Sequence, residues 1–193
     1  MATRLRYKKV PFDNIGKSMF SFLLAELICI WVVAIFSLFL LPTVIPLHFS
    51  FNGTPTSSGL NSTLMVIALL FSVAPAIILV AALFRYELLN KYPYLLVVPA
   101  FYAGIKSVAS SRKGYWINQY FKILLVAGSY LSCILLVIIL EIYTAAQKSY
   151  INGYLAVVIP MISIVVVAVL LILLLKDMYK RMAVESKAKK RRR

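Results

Sequence analysis

Four apolar runs, residues 19–41, 63–84, 121–143 and 154–175, constrain this chain more than anything else in it. Each is about 22 residues long and, at about 1.5 Å of helical rise per residue, reaches over 30 Å, enough to cross the hydrocarbon core of a bilayer. Of the 193 residues 62% are apolar and only six are acidic. A soluble domain of that size has too few polar side chains to cover so much apolar surface. The sequence therefore predicts an all-α integral membrane protein with four transmembrane helices forming one membrane domain over 19–175. A signal peptide is the rival reading of the first run. Its apolar part should be shorter and end at a small-residue cleavage site, whereas Leu41-Pro42 follows here.

The charges fall in alternate segments. Segment 1–18 holds five Lys and Arg, 85–122 six, and the tail 176–193 nine, whereas 42–62 holds none and 144–153 only Lys148. Basic residues are retained on the cytoplasmic side of a membrane. Both termini are thus expected in the cytoplasm of a multi-pass cell-membrane protein, with the loop 42–62 outside and the loop 85–120 inside. The net charge of +15 does not point to nucleic acid, because the cations flank apolar runs. The tail, ending KAKKRRR, suits anionic lipid and is expected to be disordered past Val184. Residues 94–105 are apolar but too short to span, and Lys106 ends them. A re-entrant or interfacial segment is expected there. Pro75 and Pro160 should kink the second and fourth spans.

The outer loop carries Pro42, Pro46, His48, Phe49, then Asn52-Gly53, Pro55 and Gly59. Asn-Gly is a strong tight-turn signal, and His48, Ser50 and Thr54 around Phe49 and Phe51 read as a short strand pair. An ordered extracytoplasmic loop follows. His48, the only histidine, is expected to pin this loop by a hydrogen bond. A metal would need further ligands that the loop lacks, so no metal or cofactor is expected. Asn52 and Asn61 each begin a glycosylation acceptor pattern on the predicted outer side.

Inside the spans, Glu26 is the residue hardest to account for. It lies about 10 Å into the first apolar run, where an unpaired charge is costly and marks a candidate functional site. Lys106 and Lys122 are the cations expected to reach it. Gly128 and Ser132 form a small-x-x-x-small step that would let helices approach closely. Cys29 and Cys133 read as small apolar packers rather than a disulfide. No catalytic triad, zinc motif or phosphate loop occurs, so no enzyme is expected.

The motif P-x-x-x-P-x-H-F from Pro42 to Phe49 resembles the opening motif of the SdpI-type immunity and signal-transduction membrane proteins. A second stretch has Pro99, Gly104, Ile105, Lys106, Ser107, Ser110, Ser111 and Trp116, followed by Asn118. It resembles that family's P-N-x-x-x-G-I-R and Trp motif, with Ala100 and Lys106 in place of Asn and Arg. The resemblance implies a receptor-like immunity or signalling role. Pro42, Pro46, His48, Phe49, Asn52 and Gly53 would shape an outer contact with a peptide or toxin. Gly104, Lys106, Arg112, Lys113 and Trp116 would shape an inner contact with a cytoplasmic factor. A non-catalytic accessory subunit of a larger membrane complex is the alternative reading, and a small proton- or ion-coupled transporter using Glu26 is the third.

Overall fold

The first helix starts ahead of the apolar run because Asp13 caps it. The Asp13 carboxylate accepts a hydrogen bond from the Gly16 N–H at 2.9 Å, which satisfies one of the donors a helix start leaves open. In the computed structural model, which describes residues 7–50, 52–92, 99–148 and 159–191, this helix is α1 (Asn14–Leu40). Pro42 disfavours a helical Leu41, and Leu41 is extended. A hairpin follows, β1 (Val44–Phe49) and β2 (Pro55–Leu60). Then come α2 (Thr63–Leu83), α3 (Arg85–Lys91) and α4 (Pro99–Ser107). A single 3-10 turn (Ser110–Arg112) leads into α5 (Lys113–Lys148), and α6 (Ile159–Arg191) ends the described chain.

Four of these helices, α1, α2, α5 and α6, are long and apolar enough to cross a membrane. Helix α5 is the centre of the arrangement: α1 and α2 pack on each other and on it, and α6 packs on it as well. The α1–α2–α5 core has three tiers. Ile30, Ala34, Ala68 and Ile139 form the middle one. Leu41, Ile45, Leu64 and Ala146 close the end that carries the hairpin. The largest tier, at the opposite end, includes Leu23, Leu79, Phe121, Phe101 and Met182, and joins α4 and α6 to the bundle. Gly128 permits the close packing: a Cβ there would stand 3.1 Å from both Ile78 Cδ1 and Leu23 Cδ2. The small-residue step in α5 therefore does what its spacing implies.

Two sequence expectations change, and one helix outruns its apolar run. Helix α5 extends beyond 121–143 at both ends, and its residues Gly114, Trp116, Ile117, Asn118 and Tyr120 are buried. The tail expected to be disordered past Val184 is helical to Arg191. Its Ala, Lys, Glu and Arg residues are strong helix formers, and Asp177 and Arg181 pair one turn apart at 2.8 Å. Cys29 and Cys133 are free, as expected, but exposed on the helix surface rather than packed. The nine described residues of α4 lie beside α6. Residues 93–98, half of the expected short apolar segment, lie outside the described residues. So does the start of the fourth run at 154–158, next to Pro160.

Candidate functional site

The strands of the hairpin pair antiparallel from Val44↔Leu60 to Phe49↔Pro55, with the register slipping on either side of His48. The turn is made as its dipeptide implies. Gly53 has φ 85, a left-handed value that glycine adopts without steric cost, and its N–H donates to the Ser50 carbonyl at 2.9 Å. The Asn52 side-chain oxygen accepts from Ser50 and from the Thr54 hydroxyl, the latter at 2.8 Å. His48 Nδ1 and the Ser57 hydroxyl share a hydrogen bond of 2.7 Å across the strands, so the histidine does pin the loop. Ile45, fully buried, seats the hairpin on the bundle, and β1 is the strand on the α5 side. Pro42, His48 and Asn52 are exposed, Pro46 and Phe49 half-buried, and Gly53 buried. The Asn61 amide is turned inward, 3.4 Å from the carbonyls of Leu38 and Leu41. It helps to close the C-terminus of α1. Asn52 stays exposed.

Glu26 lies well inside α1. Because α1 begins at Asn14, Glu26 is about 18 Å from the helix start, close to the midpoint of the helix. It is only 6% exposed, and neither carboxylate oxygen has a hydrogen-bond partner among the described residues. The expected cations are elsewhere. Lys122 Nζ bonds Asp13 Oδ2 at 2.9 Å, and Lys106 Nζ lies 4.1 Å from the centre of the Tyr102 ring. Both belong to the end of the bundle far from the hairpin, and Lys122 stands about two helical turns along α5 from Ser129. Glu26 instead lines a groove of about 540 Å³ between α1 and α5, with Met19, Phe22, Val126, Ser129 and Tyr130. The Ser129 hydroxyl, also buried, has no partner among the described residues either.

At the end opposite the hairpin, a polar clamp ties three segments together. Arg85, 8% exposed, donates from Nε to Asn118 Oδ1 at 2.8 Å, from Nη1 to the Ala82 carbonyl at 2.8 Å and from Nη2 to the Val10 carbonyl at 3.0 Å. Its guanidinium also stacks 3.7 Å from the centre of the Phe12 ring. Asn118 donates in turn to the carbonyls of Val10 and Pro11, and the Tyr86 hydroxyl donates to Asn118 Oδ1 at 3.1 Å. Burial holds the Arg85 guanidinium below its ordinary pKa, and the neighbouring Tyr86 opposes that shift. Burial raises the Tyr86 hydroxyl. The Asp13 carboxyl lies below its ordinary value, first through Lys122 and then through the Gly16 N–H. Lys9 pairs with Glu87, and Tyr7 exchanges hydrogen bonds with Asn90.

The five residues expected to form the inner contact divide into separate groups at that end. Arg112 and Trp116 come together on Glu185 of α6, at 3.3 Å and 2.9 Å, beside a depression of about 420 Å³ that Lys180 and Arg181 also line. Gly104 faces Met182, whose Cε would be 3.1 Å from a Cβ placed there. Lys113 lies 6.0 Å from the Tyr7 ring, and Lys106 is exposed. Sequence reasoning missed Arg85, Tyr86, Asn90 and Glu185. The one available signal was Arg85 itself, the first charge after a long apolar run. Among the described residues no three His, Cys, Asp or Glu side chains group as a metal site would require.

An uncharacterized protein of Archaeoglobus fulgidus is 34% identical to this chain over 122 residues, a match that covers 63% of this chain and 67% of that one. No family model matches the chain, and no solved structure matches it.

Proposed function

The chain belongs to the same family as that archaeal protein, and, on the resemblance of its loop motif, we propose that it is a receptor-like multi-pass membrane protein of the SdpI-like kind. Its hairpin faces the outside of the cell membrane, and its basic end, with both termini, faces the cytoplasm. The observation that carries the reading is the hairpin. A floppy connector would have neither a seat nor an open edge, and this loop has both. Ile45 anchors it, the His48–Ser57 bond braces it, and β2 is exposed along almost its whole length. The sheet has two strands, so the outer edge of β2 is unpaired among the described residues. Such an edge takes an extended peptide as a third strand, with main-chain bonds supplying affinity and flanking side chains selectivity. A secreted peptide or toxin is the proposed occupant.

At the other end, Arg112 and Trp116 sit beside Lys180 and Arg181, with the basic tail beyond them. Anionic lipid or an acidic cytoplasmic factor suits that surface. The accessory-subunit reading rests on α6, whose most apolar stretch is only 6% buried, against 33% for α1. Lipid covers such a face as readily as a neighbouring subunit does.

The receptor reading is tested by expressing the chain in a bacterium sensitive to a secreted membrane-active peptide. Wild type protects, and the double variant His48→Ala with Phe49→Ala loses protection while its amount in the membrane is unchanged. Full protection by the double variant refutes the reading. Purification in fixed ratio with other membrane subunits, without any protection, favours the accessory role.

A further inference from the structure

The groove between α1 and α5 contains a set of orphaned acceptors that the receptor reading does not use. Both oxygens of Glu26 and the hydroxyl of Ser129 are buried and unpartnered among the described residues, and both residues line the groove. The other walls are chiefly apolar. Phe22 is 58% exposed and Tyr130 38%, so the groove opens sideways, toward where lipid would lie. An ionised acid in the middle of such a helix is costly unless something pairs with it, and no cation among the described residues does so.

The chemistry of a fitting ligand follows from the acceptors. A carboxylate only accepts hydrogen bonds, and a primary ammonium carries three donors and one positive charge. Two Glu26 oxygens and the Ser129 oxygen match those three donors. A phosphate or carboxylate head would be repelled, and an alcohol offers a single donor. A bare divalent cation requires about six oxygen ligands, twice what the groove provides. The apolar walls suit an alkyl chain lying along the helices.

We propose that this groove binds a membrane-borne amphiphile with a primary ammonium head, held by Glu26 and Ser129 while its chain lies against Met19, Phe22 and Val126. The site is built from two helices of the three-helix core and does not depend on the hairpin.

The test uses the full chain in phosphatidylcholine nanodiscs and a twelve-carbon primary amine carrying a photoreactive diazirine in its chain, with the matching alcohol as comparator. Labelled residues are mapped by mass spectrometry, and labelling of α6, with its exposed Val165 and Leu173, measures nonspecific partition. The amine is expected to label Phe22, Val126 and Tyr130 in preference to α6, and unlabelled dodecylamine to compete it away. Glu26→Gln should reduce groove labelling about tenfold or more, the least that a lost charge-assisted bond costs in binding. Val126→Trp, which fills the groove and leaves the acid in place, should reduce it as well. Equal groove labelling by amine and alcohol overturns the proposal. So does unchanged labelling of Glu26→Gln, or amine labelling no stronger in the groove than on α6. Loss of toxin protection has no bearing on this result, so failure here and failure of the receptor reading are distinguishable.

Discussion

Replacing Arg85 by Ala should release the N-terminal segment from the bundle. The guanidinium makes three hydrogen bonds, to Asn118, Ala82 and Val10, at 2.8, 2.8 and 3.0 Å. Bonds from a charged group contribute about 1.5–3 kcal/mol each, a gross gain of roughly 4.5–9 kcal/mol. Against this stands the desolvation of a buried cation, several kcal/mol. Truncation leaves few acceptors stranded. Asn118 Oδ1 keeps the Tyr86 hydroxyl, and the Val10 carbonyl keeps the Asn118 amide. The net cost is therefore on the order of 3 kcal/mol, or a rise of roughly a hundredfold in the equilibrium for local opening. Hydrogen exchange of purified protein in nanodiscs reads this at the Tyr7 amide, which donates to Asn90 Oδ1 at 2.7 Å. Exchange through local opening follows that equilibrium. Arg85→Lys keeps the charge but not the planar fork and should fall between. Exchange in Arg85→Ala within about twofold of wild type, less than the ~1 kcal/mol of one ordinary bond, would mean that Arg85 does not hold the segment.

Two further outcomes follow from the packing and from the ionisation of the cap. Asp13 titrates below its ordinary value in the folded protein, so its contribution is complete above the ordinary Asp range and is lost as pH falls through the lowered value. The wild-type thermal midpoint should drop on acidification below about pH 4, and Asp13→Asn, which keeps a capping oxygen but no charge, should remove that component. At Gly128, a leucine would collide with Ile78 and Leu23, whose side chains stand 3.1 Å from where even a Cβ would lie. Overpacking of this kind costs about 1–3 kcal/mol, read as a lower unfolding midpoint in detergent, and an unchanged midpoint would contradict the close approach of α1, α2 and α5.

What the sequence made legible was set by the range of each interaction. The four long helices were visible because length and apolarity are local properties, and the hairpin because Asn52-Gly53 and its flanking prolines act within a few residues. His48 makes its expected hydrogen bond to Ser57, nine residues away. The clamp stayed hidden because Arg85 meets Val10 and Asn118 across 75 and 33 residues, and no periodicity marks such pairs. The partners of the lysines expected near Glu26 were hidden for a local reason. Hydrophobicity places the start of the first span at Met19, whereas the Asp13 cap places the helix start at Asn14. Lys122 pairs with that capping acid at 2.9 Å, a partnership that apolarity does not mark. The helical tail was missed because charge was read as disorder, although Lys, Glu and Ala also favour helix.

The proposed receptor role depends on which side of the membrane the hairpin faces, and cysteine accessibility in intact cells measures that directly. In a chain with Cys29 and Cys133 replaced by Ser, Thr56→Cys lies on the exposed strand β2 and Lys187→Cys on the exposed end of α6. A membrane-impermeant maleimide should label position 56 in intact cells and position 187 only after lysis. Labelling of 187 but not 56 would invert the arrangement and remove the outward-facing receptor role.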